Sequence, residues 1–161
     1  MGCGPLKDIT EILSDKLPDG VKLIVICSNN RRLYKQLTKN GVPYNMRVIG
    51  YTTRMPLYMD AADVIMTKPG GLSSTEAAVK ALPMVFINAV PGCETRNLAF
   101  FVNRGLALTG DTSKDLCRAV LKLLKRPEIY EDMHQKLKDN FDFCAVEEIY
   151  NYIHGEHDKC K

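Results

Sequence analysis

Short apolar runs alternate along this chain with stretches in which apolar residues recur every three or four positions. Short apolar runs are typical of strands that are buried on both faces of a parallel sheet. Stretches with the longer period are typical of helices with one buried face. The runs predict strands at residues 21–27, 46–49, 64–66, 84–87 and 106–108. The periodic stretches predict helices at residues 5–17, around 33–37, at 55–62, 74–82 and 96–104, and from 111 to 153 with an interruption at Pro127.

The alternation of strands and helices, with short connections between them, predicts one α/β domain. Such alternation builds a Rossmann-like parallel sheet with helices on both faces. The 161 residues suit a single domain, which we place at residues 1–153, with a short tail at 154–161.

Composition narrows the class of function. A formal net charge of +3, with acidic and basic residues interspersed, creates no field that favours nucleic acid. The six cysteines are scattered and form no Cys-x-x-Cys pair, which indicates a reducing compartment. No apolar run approaches the ~20 residues of a membrane span, and the amino terminus lacks a signal-peptide pattern. We therefore expect a cytoplasmic protein without nucleic-acid partners, in which any membrane contact is peripheral, at the inner membrane surface.

A Gly-rich turn, Gly2-Cys3-Gly4-Pro5, lies directly before the first predicted helix. Such a turn allows backbone N–H groups to approach an anion at a helix N-terminus. In a doubly wound sheet, however, a phosphate loop follows the carboxyl end of a strand, and no strand is predicted before this turn. Either the turn is only a flexible start, or the first strand of the sheet is missing.

The most informative segment runs from the strand at 64–66 into the next helix. Gly70 and Gly71 permit close backbone approach, and the helix start carries hydroxyl groups that can bind phosphate or ribose oxygens. Glu76 is a carboxylate suited to a pair of vicinal hydroxyls. The same residues also fit a capping box, Ser73-x-x-Glu76, which needs no ligand. The hydroxyl residues are Ser73, Ser74 and Thr75.

Two motifs make the sequence recognisable. One is an Ala-Asp-Val block followed by Gly70-Gly71 and by Glu76-Ala77, and the other is Pro91-Gly92-Cys93-Glu94 followed by Asn97. With them, residues 2–152 resemble the C-terminal domain of the processive diacylglycerol glycosyltransferases and monogalactosyldiacylglycerol synthases. These are glycosyltransferase family 28-like proteins of the GT-B fold and relatives of the lipid II-forming N-acetylglucosaminyltransferase.

The resemblance implies a UDP-sugar donor site, residue by residue. It places Gly2 and Gly4 near the donor diphosphate, and Gly50, Tyr51 and Thr52 around the uracil. It implies that Glu76 binds the ribose hydroxyls and that Cys93 and Glu94 recognise the hexose hydroxyls. It also implies that Asn97 completes the site. It assigns the phosphates to Gly70, Gly71, Ser73, Ser74 and Thr75. It implies no catalytic residue in this chain, no metal and no cofactor, since the UDP-sugar is a substrate.

Two departures from the family pattern matter. Cys93 stands where the family usually has Gln, and a thiol is a weaker hydrogen-bonding group than an amide. The resemblance also implies that residues 1–161 lack the first strand of the sheet and the N-terminal acceptor domain, which in the family binds the lipid and supplies the base. We therefore expect a fragment or one subunit of a two-chain enzyme, inactive alone, and an exposed sheet edge makes a homo-oligomer an alternative.

The resemblance implies that the intact enzyme transfers a hexose from a UDP-sugar to a diacylglycerol-type lipid. Two alternatives stay open: a UDP-N-acetylglucosamine-dependent lipid II-type transferase, and a non-catalytic nucleotide-binding module. The Pro91-Gly92-Cys93-Glu94 loop argues against the first. Binding of UDP without turnover in the presence of an acceptor domain would indicate the second.

Overall fold

A computed structural model describes residues 6–87 and 89–155, and it confirms the α/β class. Within these residues, strands alternate with helices as far as β5, and three helices follow. The elements are α1 (Leu6–Lys16), β1 (Leu23–Ile26), α2 (Arg31–Thr38), β2 (Met46–Ile49), α3 (Met55–Asp60), β3 (Ile65–Thr67), α4 (Gly71–Val79), β4 (Met84–Phe86), α5 (Cys93–Asn103), β5 (Ala107–Thr109), α6 (Ser113–Lys125), α7 (Pro127–Asn140) and α8 (Ala145–His154).

All strand pairs are parallel, but the described strands form two hydrogen-bonded groups rather than one continuous sheet. β1 pairs with β2, and β3, β4 and β5 pair in that order. Met84, Val85 and Phe86 of β4 are each 0% exposed. Because successive side chains of a strand point to opposite faces, both faces of β4 are covered by other elements.

The main hydrophobic core lies around β4 and joins α1, α4, α5, α6 and α7 to the three-stranded group. The ring of Phe101 on α5 packs edge-to-face on Phe86, with 5.5 Å between the ring centroids. A smaller core, made of Val25, Cys27, Leu33 and Leu37, lies between β1 and α2. Leu6 and Leu23 pack against both cores, so the two strand groups adjoin through α1 and β1.

Local signals set the ends of the last helices. The hydroxyl of Thr112 accepts a hydrogen bond from the backbone N–H of Asp115, and the carboxylate of Asp115 accepts one from the N–H of Thr112. This reciprocal cap begins α6. Pro127 begins α7, which confirms the predicted interruption, because Pro is favoured at a first helical position. Among the residues that the structure describes, none of the helices has the length and apolar character that crossing a membrane requires.

Candidate functional site

The candidate site lies where the parallel strands β3 and β4 end. Thr67 is paired with Phe86 in the ladder, so the segments that follow the two strands leave the sheet side by side. α4 begins four residues after β3, and α5 begins seven residues after β4. In open α/β sheets, ligands bind outside the carboxyl ends of the strands, which is where these loops and helix starts meet.

The N-terminus of α4 has backbone groups of the kind that suit an anion. Helix α4 begins at Gly71, with Gly70 in extended conformation as its N-cap, three residues before the predicted start. The backbone N–H of Ser74 already donates to the carbonyl of Gly70, over 3.2 Å. The N–H groups of Gly71, Leu72 and Ser73 precede it, and they are the donors that a helix start leaves without an intrahelical partner. Together with the helix dipole, they favour a bound anion.

The three predicted hydroxyl groups differ in their surroundings. Ser74 is only 1% exposed, and its hydroxyl donates a short hydrogen bond to the carbonyl of Gly70. Its hydroxyl therefore holds the N-cap, whereas Ser73 is half-buried and Thr75 is exposed. Of the three, Ser73 and Thr75 are the hydroxyls that solvent reaches more readily.

The structure corrects the capping-box interpretation of Ser73-x-x-Glu76. Because Gly70 is the N-cap, Glu76 is the sixth residue of α4 and no acidic residue lies in its first turn. The side chain of Glu76 is exposed and makes no hydrogen bond or ion pair within residues 6–87 and 89–155. Its carboxylate is therefore available to a ligand.

Two contacts join the segment after β3 to the segment after β4. The side-chain amide of Asn97, on α5, donates to the carbonyl of Pro69 over 2.9 Å. The carboxylate of Glu94 accepts the backbone N–H of Val90 over 2.8 Å, and lies 3.9 Å from the ammonium of Lys68. Lys68 and Glu94 are about 30% and 25% exposed at their side chains, so this pair borders the site rather than lying deep in the core. From its position directly after β3, Lys68 could contact a phosphate or cover the rim of the sheet with its side chain, and the structure places its ammonium near Glu94.

The loop before α5 depends on Gly92. Its φ of 111° lies in a region that side chains rarely adopt, so glycine is required there. The hydroxyl of Thr95 donates to the carbonyl of Gly92 over 2.7 Å, which fixes the turn into the helix. Cys93 is the first residue of α5, and its thiol is exposed.

A separate cleft of ≈ 310 Å³ lies at the carboxyl ends of β1 and β2. Gly50 and Tyr51, predicted to lie near the uracil, line it, and the ring of Tyr51 is largely exposed. Thr52 uses its hydroxyl to accept the backbone N–H of Arg54, over 3.0 Å. The residues that follow β1 could not be predicted from the sequence to line this cleft, because only the β1–β2 pairing brings them to Tyr51. They are Ser28, Asn29, Arg31 and Tyr34.

The predictions for the amino-terminal glycines and for a metal concern neither the start of α4 nor the cleft at the ends of β1 and β2. Gly2 and Gly4 fall outside the described residues, so their placement near the diphosphate stays a prediction. Within the described parts of the chain, no group of three or more His, Cys, Asp or Glu side chains could hold a metal ion.

Comparison with protein families gives one match over most of the chain. The family described as the glycosyltransferase family 28 C-terminal domain matches residues 10–148. A curated relative, the processive diacylglycerol beta-glucosyltransferase of Bacillus pumilus (strain SAFR-032), is 31% identical over 138 residues. The match covers 84% of this chain but only 36% of the relative, so the chain spans about a third of that protein's length.

Solved structures share the fold. A crystal structure described as the glycotransferase of kitacinnamycin superposes with a TM-score of 0.70 at 20% identity, over 94% of this chain and 40% of that chain. MurG of Acinetobacter baumannii superposes with a TM-score of 0.67 at 20% identity, over 90% of this chain and 46% of that chain. At such identities the likeness shows the fold alone, which is half of a GT-B architecture.

Proposed function

Because the chain belongs to the glycosyltransferase family 28 C-terminal domain family, we propose that it is the donor-binding half of a glycosyltransferase. In this proposal the intact enzyme transfers a hexose from a UDP-sugar to a diacylglycerol-type lipid. The donor-binding domain comprises residues 1–153. The processive diacylglycerol beta-glucosyltransferase of Bacillus pumilus, which the chain resembles over 84% of its length, supports the lipid acceptor.

One observation carries the donor-site assignment. The N-terminus of α4 has free N–H groups at Gly71, Leu72 and Ser73, and the exposed carboxylate of Glu76 lies further along the same helix. An anion receptor beside an uncommitted carboxylate suits a nucleoside diphosphate, in which a diphosphate adjoins a ribose with vicinal hydroxyls. We assign the diphosphate to Gly70, Gly71 and the hydroxyls of Ser73 and Thr75, and the ribose to Glu76.

In the transfer step, the bond between the hexose and UDP breaks and negative charge builds up on the departing diphosphate. The free N–H groups at the start of α4 are fixed before the reaction, so they stabilise that charge without reorganising. Ser74 contributes indirectly, because its hydroxyl bonds the Gly70 carbonyl and holds the N-cap. The scheme uses no cofactor, since the UDP-sugar is a substrate.

We propose that the segment at the start of α5 recognises the hexose. Glu94 is held by the Val90 N–H and lies 3.9 Å from Lys68, so its carboxylate is positioned before a ligand arrives. Cys93 lies beside it with an exposed thiol. Asn97 supports this segment by bonding the carbonyl of Pro69, directly before Gly70.

The remaining parts of the enzyme are assigned to the acceptor half. We propose that the lipid-binding surface and the catalytic base belong to that half, as a further domain or a separate chain. The uracil site, in contrast, belongs to this chain. Tyr51 and Thr52 would border the uracil, at the ends of β1 and β2. A lipid acceptor implies that the intact enzyme works at the membrane surface as a peripheral protein, in the cytoplasm.

The test is calorimetric titration of the chain with UDP, UDP-glucose, UDP-galactose and UDP-N-acetylglucosamine. Two variants accompany it: Glu76→Ala, which removes the proposed ribose ligand, and Glu131→Ala, which removes another exposed carboxylate, on α7. Loss of charged hydrogen bonds to ribose costs about 1.5–3 kcal/mol, so Glu76→Ala should weaken UDP binding roughly 10- to 150-fold. Glu131→Ala should leave it unchanged.

The outcomes separate the candidates. Tightest binding of UDP-glucose or UDP-galactose supports the hexose donor, whereas tightest binding of UDP-N-acetylglucosamine would favour the lipid II-type reaction. Equal affinities of the two Glu variants for UDP would refute the role of Glu76. A folded chain that binds none of the four ligands would contradict the proposal.

A further inference from the structure

Charge is distributed less evenly along the chain than its small net charge suggests. The 40 residues from 20 to 59 contain seven Lys and Arg residues and no Asp or Glu. All 19 acidic residues therefore lie in the rest of the chain, together with 15 of the 22 basic residues. The part of the domain that is built from β1, α2 and β2 is basic, whereas the remainder carries an excess of acidic groups.

The seven cations of this basic part have no carboxylate partner among the described residues. All seven are exposed, and none of them forms an ion pair within residues 6–87 and 89–155, where six other Lys and Arg residues do. Direct contact with acidic groups therefore does not neutralise them, and their combined potential attracts an anionic partner. The seven are Lys22, Arg31, Arg32, Lys35, Lys39, Arg47 and Arg54.

Helix α2 carries four of these cations, three of them in one stripe. Leu33 and Leu37 are buried in the smaller core, which fixes the face of α2 that points inwards. Arg32, Lys35 and Lys39 are spaced by three and four residues, so they lie on one face, on the outer side of the helix. Lys39 is the C-cap and keeps helical backbone angles, so it continues this stripe.

The loop that follows α2 adds exposed apolar groups next to this stripe. Val42 is 39% exposed and Tyr44 is 83% exposed, and the ammonium of Lys22 lies 5.3 Å from the centroid of the Tyr44 ring. Tyrosine combines an apolar ring with a polar hydroxyl and is enriched at membrane–water interfaces. Val42 has no ring to stack on a base, so an exposed apolar loop beside a cationic helix favours a lipid surface over a nucleic acid.

We propose that the outer face of α2, with Arg32, Lys35 and Lys39, docks on a membrane surface that contains anionic phospholipid. The cations lie over the lipid phosphates, whereas the acidic remainder of the domain is repelled, so the uneven charge also orients the bound domain. The choice of a lipid surface among polyanions rests on the proposed lipid acceptor. Because Arg31, the first residue of α2, lines the cleft beside Tyr51, docking would hold the candidate donor site close to the surface that contains the acceptor.

Sedimentation of the chain with vesicles tests this docking face. One set of vesicles contains phosphatidylcholine with about 30% phosphatidylglycerol, and the control set contains phosphatidylcholine alone. Each Lys or Arg near an anionic surface raises the affinity roughly fivefold, so the four cations of α2 predict half-maximal binding near about 1 mM accessible lipid. The assay contains no nucleotide, so its failure leaves the result of the UDP titration standing, and failure of UDP binding leaves the vesicle result standing.

Two triple variants with the same net charge are compared with the native chain. The first combines Arg32→Gln, Lys35→Gln and Lys39→Gln, which removes the stripe and leaves Arg31 at the cleft. The second removes three exposed cations from α6 that form no ion pair within the described residues, by Lys114→Gln, Lys122→Gln and Lys125→Gln. A third variant, Lys35→Arg with Lys39→Arg, keeps the charge of the stripe. Circular dichroism establishes that each variant is folded.

We expect the α2 variant to bind anionic vesicles about 100-fold more weakly, the α6 variant to lose about threefold or less, and the Arg variant to bind like the native chain. Raising the salt from about 0.1 M to 1 M should release the native chain, because the Debye length falls from about 10 Å to 3 Å.

Four results would each overturn the proposal. They are equal losses in the α2 and α6 variants, equal binding to both sets of vesicles, no binding of the native chain at about 10 mM anionic vesicle lipid, and tighter binding to a mixed-sequence RNA than to the vesicles. The last result would assign the stripe on α2 to a nucleic acid.

Discussion

The link between Asn97 and Pro69 gives a sharp test of how the candidate site is held together. The amide of Asn97 donates to the Pro69 carbonyl over 2.9 Å, across 28 positions of sequence. Pro69 is fully buried, so replacing Asn97 by Ala leaves the carbonyl of a buried residue without its donor. Such a loss costs about 1–3 kcal/mol. Asn97 itself is half-buried, so water replaces part of the bond, and we expect about 1–2 kcal/mol.

Urea unfolding, followed by circular dichroism, measures this loss. For an m-value of about 2 kcal/mol/M, the loss lowers the midpoint by roughly 0.5–1 M urea at unchanged m. Asn103→Ala is the matched control, because Asn103 is an exposed residue at the end of the same helix. Its effect should stay within about 0.5 kcal/mol. Asn97→Asp keeps the size of the side chain but directs a carboxylate at a carbonyl, so it should cost at least as much as Asn97→Ala.

Equal midpoints for Asn97→Ala and Asn103→Ala would refute this reasoning. They would mean that the segment after β3 and the start of α5 are held together by packing alone. The proposed support of Gly70 by α5 would then have no energetic basis.

Three further predictions concern other parts of the chain. Ser28→Gly should raise the free energy of unfolding by about 1 kcal/mol in urea, because Ser28 has a φ of 49°, and an unchanged midpoint would contradict this strain. Hydrogen bonds from Thr112, and then the charge of Arg118, lower the pKa of Asp115 in the folded chain. The ionised carboxylate therefore stabilises the fold at pH values above the ordinary aspartate pKa of about 3.9. This stabilisation is lost as the pH falls through the lowered pKa of the folded chain. The stability difference between the native chain and Asp115→Asn should shrink over that acidic window, and a pH-independent difference would show that ionisation of Asp115 does not contribute. Iodoacetamide should modify the exposed Cys93 in the folded chain and spare the buried Cys117, because burial raises the pKa of the Cys117 thiol. Saturating UDP-glucose should slow the modification of Cys93, measured by peptide mass spectrometry. Equal rates of modification with and without UDP-glucose would place Cys93 outside the site.

The pattern of apolar residues predicted the fold class and much of the element order. The strand predicted at 46–49 matches β2, because Met46, Val48 and Ile49 form a short apolar run between turn residues. The break at Pro127 was equally clear, since Pro cannot continue a helix. These features depend on neighbouring residues alone, which is why the sequence was sufficient to predict them.

The start of α4 was predicted three residues too late. Gly70 and Gly71 suggested a turn, because glycine disfavours helix interiors. The short hydrogen bond from the Ser74 hydroxyl to the Gly70 carbonyl holds Gly70 as the N-cap. That bond depends on the backbone conformation of Gly70, which a residue pattern does not reveal.

Contacts between residues that are far apart in the sequence explain the other features that could not be predicted. Asn29 lies more than twenty positions before Tyr51, and only the parallel pairing of β1 with β2 brings both to one cleft. The division of the described strands into two groups depends on which strands pair, and the pattern of one strand alone does not specify its partner. The cleft beside Tyr51 and the grouping of the strands are therefore both set by pairing between strands that are separated in the sequence.

The most direct test of the donor-site assignment is a ¹⁵N NMR titration of the chain with UDP. We expect the amides of Gly71, Leu72 and Ser73 to shift most, because they are the donors without an intrahelical partner at the start of α4. The amides of Gly50 and Tyr51 should shift as well. In Glu76→Ala, the same amides should shift only at a higher UDP concentration. Saturable shifts confined to other parts of the chain, with these amides unmoved, would contradict the account.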